Sequence, residues 1–362
     1  MCPSVELRGV TKAFPGRPLP VVDNLSLSVE EGQLMALVGP SGCGKTTTLR
    51  LIAGLEWPNG GQVLLIGQVV SDERRLLPPE RRRVGMVFQE YALFPHLTVK
   101  ENVAFGLRGL ARPRRGERIG EVLELTGLGG LERRYPAHIS GGEQQRVALA
   151  RALAPDPVVV LLDEPFSNLD AELRVRVRRE VRKILKEAGT TAIFVTHDQE
   201  EALFMGDKVA VMNTGRVEQM DTPYEVFQHP RTRFVAQFLG TSDFLPARPV
   251  EGGLMTELGL VPQVADSSRG EVEVMVRPDD LTLGQAEGGN GVVTSRQFLG
   301  THYMYTVALA SGTRVRVFSS HMNHLEEGTN IAVRLEPRHE LVCFVGGRAV
   351  ESRGIASSPQ LA

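Results

Sequence analysis

No stretch of this 362-residue chain approaches the ~20 consecutive apolar residues that a helix needs to span a bilayer. The N-terminus also lacks the apolar core of a signal peptide. The expectation is a cytoplasmic protein whose membrane role, if it has one, comes through a partner. Cysteine is scarce. Cys2, Cys43 and Cys343 lie far apart without a metal-ligand spacing, which argues against a disulfide framework and for a reducing compartment. Net charge is small, −2 from 41 Lys+Arg and 43 Asp+Glu, so bulk electrostatics give no reason to expect nucleic acid as a partner. The local basic runs, Arg81-Arg82-Arg83 and residues 112–118, read as solvated loop or as a face near lipid headgroups. The length exceeds what one compact domain usually holds, so two domains are expected.

What the chain does have is a phosphate-binding pattern. Gly39-Pro40-Ser41-Gly42-Cys43-Gly44-Lys45-Thr46 fits G-x-x-x-x-G-K-[ST]. The apolar run at residues 34–38 before it reads as a buried strand, and residues 47–53 after it read as a helix, the context the motif requires. Glycines let successive backbone N–H groups converge on phosphate oxygens. The helix that follows turns its positive end toward the same anion. Lys45 can reach the β- and γ-phosphates, and the Thr46 hydroxyl suits Mg²⁺. The plain alternative is a glycine-rich turn that happens to precede Lys-Thr.

Further chemistry lies along the chain. Phe14 sits in a turn-rich segment, as a core or edge contact or as a platform for a nucleobase. The strand at residues 84–88 ends in Gln89. Residues 91–99 are mostly apolar and broken by Pro95, so they either pack internally or meet another protein. Thr98 and Glu101 have the capping-box spacing. Ser140 precedes Gly141-Gly142 and a helical run to residue 154, which makes a second helix start suited to an anion. Residues 158–162 form the most apolar run, read as a strand buried on both faces and ending in Asp163-Glu164. Adjacent carboxylates there are costly without a task. Asp163 suits Mg²⁺ and Glu164 suits the polarisation of an attacking water; the alternative is a surface turn. Residues 171–188 read as an amphipathic helix, residues 191–196 as a buried strand with His197 at its carboxyl end, and residues 198–205 as a short helix. Residues 209–220 read as a hairpin, and residues 223–240 as one helix ending in Gly240. Beyond Gly240, short strands at 272–276, 303–309, 314–318, 331–335 and 341–345 predict a small all-β domain, sandwich or barrel. His321 and His324 have a helical metal-ligand spacing, but no third ligand is evident. The tail from Gly354 is expected to be disordered.

Together these motifs resemble the ATP-binding subunit of an ABC transporter. The resemblance covers nearly the whole chain and is most specific through about Gly240. Phe14 matches the family's adenine-stacking aromatic, and residues 39–46 match Walker A, with Gly39, Ser41, Gly42, Gly44, Lys45, Thr46 and Thr47 implied to hold ATP. Gln89 matches the Q-loop glutamine, residues 139–144 the signature motif, Asp163 and Glu164 the end of Walker B, residues 167–170 the D-loop, and His197 the switch histidine. The resemblance therefore implies Glu164, His197 and Gln89 as catalytic residues, Ser140 and Gly142 as ATP contacts, and Thr46, Gln89 and Asp163 as Mg²⁺ ligands. Ile139 stands where Leu is usual and Glu143 where Gln is usual. It implies a P-loop NTPase of the α/β class over residues 1–240, followed over 241–362 by a regulatory β-barrel of the OB-like TOBE type. It also implies a homodimer with composite ATP sites, transmembrane permease subunits, an indirectly coupled solute-binding protein, no nucleic acid, and a peripheral place on the cytoplasmic face of the inner membrane. Within the family, residues 93–99, 163–170 and 238–246 look most like ferric-iron importers; spermidine/putrescine, sulfate, thiamine and phosphonate importers are close relatives. A non-transport ABC ATPase is the alternative of another class, but the long coiled-coil insertion or second cassette usual there is not visible.

Overall fold

A computed structural model describes residues 2–107, 111–268, 270–284 and 288–354. The expectation for the tail past Gly354 falls outside these residues. The chain divides into two compact units, residues 1–224 and 225–362.

The first unit is α/β. Its strands are β1 (Val5–Lys12), β2 (Val22–Val29), β3 (Leu34–Val38), β4 (Gly60–Leu65), β5 (Gln68–Ser71), β6 (Val84–Val87), β7 (Val159–Asp163), β8 (Ala192–Thr196), β9 (Lys208–Asn213) and β10 (Arg216–Asp221). Its helices are α1 (Lys45–Ala53), α2 (Val99–Ala104), α3 (Arg112–Leu125), α4 (Gly141–Leu153), α5 (Ala171–Glu187) and α6 (Gln199–Met205). A six-stranded sheet runs β10-β9-β3-β8-β7-β6, parallel except for β10, which closes the hairpin with β9. A four-stranded antiparallel sheet runs β2-β1-β4-β5. The parallel strands carry no polar face: β3 and β8 are buried at every residue, as both-face covering by helices and the second sheet demands. The phosphate loop leaves the carboxyl end of β3, His197 follows its neighbour β8, and Asp163 ends β7 on the far side of β8. The strand order thus places three motifs, distant in sequence, along one sheet edge.

Both capping boxes form. Thr98 caps α2 with Glu101, and Ser140 caps α4 with Glu143. The two basic runs depart in part from solvated loops: Arg81, Arg83 and most of residues 112–118 are exposed, but Arg82 is not. Arg82 is 3% exposed, and its guanidinium donates to the main-chain oxygens of Leu77 (2.7 Å), Leu51 (2.9 Å) and Ile52 (2.8 Å). Residues 112–118 open helix α3 instead of forming a loop.

Where the second unit begins, the single helix expected over 223–240 is two, Pro223–Gln228 and Arg233–Leu239. Pro230 has no N–H to give and disfavours helical backbone at His229, so the chain breaks there and restarts at the N-cap Thr232. The rest is all-β and antiparallel. One sheet orders Gly259–Val261, Gly253–Thr256, Asp243–Val250, Val272–Val276, Cys343–Val345 and Arg348–Val350; another orders Leu281–Gly284, Asn330–Leu335, Gly291–Phe298, His302–Leu309 and Arg314–Ser320. One core, including Leu245, Val274, Tyr305 and Val333, lies under both. His321 and His324 lie in the turn after Ser320, not on a helix. His321 Nδ1 faces Thr301 O at 3.1 Å, whereas His324 lies among Arg296, Tyr303 and Glu326.

Candidate active site

The phosphate loop is shaped by what two glycines allow. A Cβ at Gly39 would stand 2.2 Å from Met212 O at the end of β9. Gly44 has φ 106°, and a Cβ there would stand 2.4 Å from Val21 O. Only a residue without a side chain lets the loop run this close to neighbouring backbone. Gly44 is the N-cap of α1, and the first-turn N–H groups of that helix have no intrahelical acceptors. Lys45 is buried and donates from Nζ to Gly39 O (2.7 Å) and Pro40 O (3.0 Å), which keeps the ammonium inside the cradle. Ser41, Gly42, Gly44, Lys45, Thr46 and Thr47 line a cavity of about 260 Å³, with Glu164 opposite. Arg17 and Val21 also line it; nothing in their local sequence singled them out. Phe14 is not among the lining residues, and its ring is covered by the Lys12 ammonium at 4.8 Å.

The carboxylates meet this loop. Thr46 Oγ1 donates to Asp163 Oδ1 at 3.0 Å. Burial raises the Asp163 pKa, and the Thr46 hydrogen bond opposes the rise. A hydroxyl and a carboxylate converging at this distance are hard oxygen donors of the kind Mg²⁺ takes when phosphates complete its shell, so the pair fits that ion. Glu164 has φ 44°, left-handed backbone that a non-glycine residue rarely adopts. It is held there: its N–H donates to Val195 O (3.1 Å) on β8, and its own carbonyl accepts from the Ser167 hydroxyl (3.0 Å). His197 Nδ1 lies 3.2 Å from Glu164 Oε2. Thus a strained carboxylate faces the phosphate cavity and has an imidazole partner, an arrangement able to take a proton from a water.

Gln89 is exposed, and its main-chain oxygen accepts from Asn168 Nδ2 at 2.8 Å, which links the end of β6 to the segment after Glu164. Tyr91 and Ala92, just beyond, have φ 58° and 47°, and Arg151 of α4 donates to both of their carbonyls. Of the apolar residues here, Tyr91 and Val99 are buried, while Leu93, Phe94 and Leu97 are half-buried. Ser140 and Gly142 open α4 and do not line the phosphate cavity of their own chain. The Glu143 carboxylate accepts from Ser140 N (2.7 Å) and from the Ser140 hydroxyl (2.8 Å), so it completes the cap of this helix start, and these bonds lower its pKa.

Comparison with known proteins identifies the family. The ABC transporter model matches residues 22–167, and the TOBE domain model matches residues 274–342. The spermidine/putrescine import ATP-binding protein PotA of Acidothermus cellulolyticus is 46% identical over 336 residues, covering 88% of this chain and 87% of that protein. This chain belongs to the ABC transporter ATP-binding family. The Fe(3+) ions import ATP-binding protein FbpC of Pseudomonas fluorescens is 44% identical over 341 residues, covering 91% of this chain and 96% of its own length. Among solved structures, the dimeric post-hydrolysis state of the ATP-binding cassette MJ0796 bound to ADP and Pi has a TM-score of 0.52 at 34% identity, covering 60% of this chain and 98% of that one. CbiO1 from Clostridium perfringens, part of the ABC transporter complex cbiONQ, has a TM-score of 0.57 at 26% identity, covering 62% of this chain and 91% of that one. As a member of this family, the chain is an ATP-binding ATPase with a P-loop NTPase unit and a TOBE domain. Among the described residues, no helix is long and apolar enough to cross a membrane.

Proposed function

We propose that this chain is the ATP-hydrolysing subunit of a solute importer. It would dock peripherally on membrane permease subunits at the cytoplasmic face and work with a solute-binding protein. The carrying observation is Glu164, which lines the phosphate cavity while His197 Nδ1 stands 3.2 Å from its carboxylate. In this reading Lys45 and the first-turn N–H groups of α1 hold the β- and γ-phosphates. Glu164 accepts a proton as a water oxygen attacks the γ-phosphorus and ADP leaves. His197 orients that carboxylate, and Gln89 reports the γ-phosphate to the segment at 91–99. Phe14 provides a platform for adenine beyond the cavity edge. Thr46 and Asp163, with Gln89, would hold Mg²⁺, which neutralises phosphate charge when bound. Ser140 and Gly142 would present the start of α4 to ATP on a second copy, so two chains form two composite sites. Catalysis is assigned to residues 1–240, and regulation and dimer support to 241–362.

Ferric iron is the first reading of the cargo, supported by relatives such as FbpC at 44% identity. Spermidine or putrescine is the second, favoured by the PotA relative at 46% identity. The test is reconstitution with the cognate permease and binding protein in proteoliposomes. The ferric-loaded binding protein is expected to stimulate ATP hydrolysis and drive uptake. Stimulation by a polyamine-loaded protein alone would transfer the cargo to the second reading. No stimulation by any loaded binding protein would overturn the importer role.

A further inference from the structure

Three helices in the first unit start with a capping residue followed three positions later by Glu, and one of them departs from the other two. In α2 and α4 the Glu reaches back to the N–H of its own cap, as Glu101 does to Thr98 (2.8 Å) and Glu143 to Ser140 (2.7 Å). In α6 the cap Asp198 accepts from Glu201 N (3.1 Å), but the Glu201 carboxylate does not return the bond. It accepts instead from the Thr196 hydroxyl at 2.6 Å, and Thr196 Oγ1 in turn accepts from Asp198 N at 2.9 Å. The result is a closed ring of hydrogen bonds, Asp198 N to Thr196 to Glu201 and back to Asp198, with His197 as the one residue at its apex.

Glu201 and Thr196 are 4% and 2% exposed, whereas the His197 side chain is 61% exposed. A carboxylate of this kind is not a surface cap. Burial raises its pKa, opposed by the Thr196 bond and by the charges of Arg178 and Arg174 on α5. The ring also borders a pocket of about 60 Å³ shared with Glu164, His197 and Arg174. On α5, Arg174 Nε and Arg178 Nη1 are buried without hydrogen-bond partners, while Arg174 Nη2 donates to Leu169 O (2.9 Å) and Arg178 Nη2 lies 3.9 Å from the Glu200 carboxylate.

We propose that Glu201 is a positioning residue for hydrolysis: through the Thr196 hydroxyl it fixes the backbone that carries His197, and so sets the 3.2 Å approach of His197 to Glu164. The inference rests on the reading of Glu164 and His197 given above. An imidazole 61% exposed on a strand-to-helix junction has little packing of its own, so the buried ring beneath supplies the precision. Misplacement of a reacting group by about 1 Å costs up to ~10²-fold in rate.

The test is a double-mutant cycle in steady-state ATP hydrolysis by the full chain, with ATP affinity measured in parallel. Glu201→Ala is expected to lower kcat roughly ten-fold with ATP affinity unchanged. Glu201→Gln keeps an acceptor for Thr196 and is expected to restore most of the rate. Thr196→Val keeps shape and strand propensity but removes the hydroxyl; it should reproduce the Glu201→Ala loss, and it carries the test if Glu201→Ala does not fold. In a His197→Ala background, Glu201→Ala or Thr196→Val should add little further loss. Full activity of both Glu201→Ala and Thr196→Val, or losses that multiply undiminished with His197→Ala, would overturn the proposal. A His197→Ala chain with wild-type kcat would instead overturn the underlying assignment of His197.

Discussion

Arg82 offers the sharpest stability test, because its burial was the least expected feature of the first unit. Leu51 and Ile52 lie in the last turn of α1, where Leu51 O accepts from the N–H of the C-cap Gly54 (3.3 Å) and Ile52 O takes its donor from outside the helix. The Arg82 guanidinium supplies that donor from 30 residues away and also binds Leu77 O. Burial pushes its pKa down to about 10, which leaves it charged at neutral pH. Arg82→Met preserves most of the volume but strands Ile52 O and takes one donor each from Leu51 O and Leu77 O. At about 1–3 kcal/mol for the unsatisfied carbonyl and about 1 kcal/mol for each of the other two lost hydrogen bonds, with part of it relieved by relaxation and water, the expected loss is about 2–4 kcal/mol. Arg82→Lys should recover less than half, because one ammonium cannot span carbonyls that a planar fork reaches together. The assay is urea unfolding followed by the fluorescence of Trp57, the only tryptophan in the chain, whose indole donates to Asp72 O close to this cluster. A loss below about 1 kcal/mol for Arg82→Met would refute the claim that this guanidinium secures the helix bearing Lys45.

Gly44→Ala should weaken ATP binding at least ~100-fold in a fluorescent-nucleotide titration, because φ 106° and a contact of 2.4 Å with Val21 O leave no room for a Cβ; affinity within a few-fold of wild type would contradict that. Ser140→Arg should retain nucleotide binding but abolish hydrolysis, since bulk and charge at the start of α4 would block a partner's γ-phosphate; a fully active variant would argue against composite sites. Glu143→Ala should cost about 1 kcal/mol of stability through loss of the Ser140 capping box, measured by thermal unfolding. Thr46→Val removes the hydroxyl that bonds Asp163 and should raise the Mg²⁺ concentration needed for half-maximal hydrolysis, with EDTA silencing both proteins; an unchanged Mg²⁺ requirement would remove Thr46 from the metal site.

The features legible in the sequence are those whose physics is local. The phosphate loop announces itself because glycine spacing, Lys45 and the flanking apolar run all fall within one strand–loop–helix unit. The capping boxes at Thr98 and Ser140 are legible for the same reason, and the apolar run ending at Asp163 reads as a doubly buried strand because it lacks alternation. What escaped depends on distant partners. Arg82 stands in a triple-arginine run that looks solvated until the carbonyl end of α1 is placed beside it. Arg17 is an ordinary exposed basic residue until the loop over it defines a cavity. In the second unit, Asp243–Val250 forms a strand despite Pro246 and Pro249, each opposite a partner across antiparallel ladders, where periodicity alone argues against one. The break at Pro230 is a different case: the proline was visible, and its effect on His229 decided the outcome. The ring around His197 spans only six residues, yet its meaning comes from the burial of Glu201, which no local pattern states.

The central claim is that Glu164 takes the proton from the attacking water in a site built by the phosphate loop and the ends of β7 and β8. Its most direct test is Glu164→Gln, which keeps the shape of the side chain and removes its basicity. Two quantities are measured on the same purified protein: ATP affinity in the presence of Mg²⁺ and steady-state phosphate release. The account predicts wild-type affinity with turnover lowered by roughly 10²-fold or more. Near-normal turnover would contradict it.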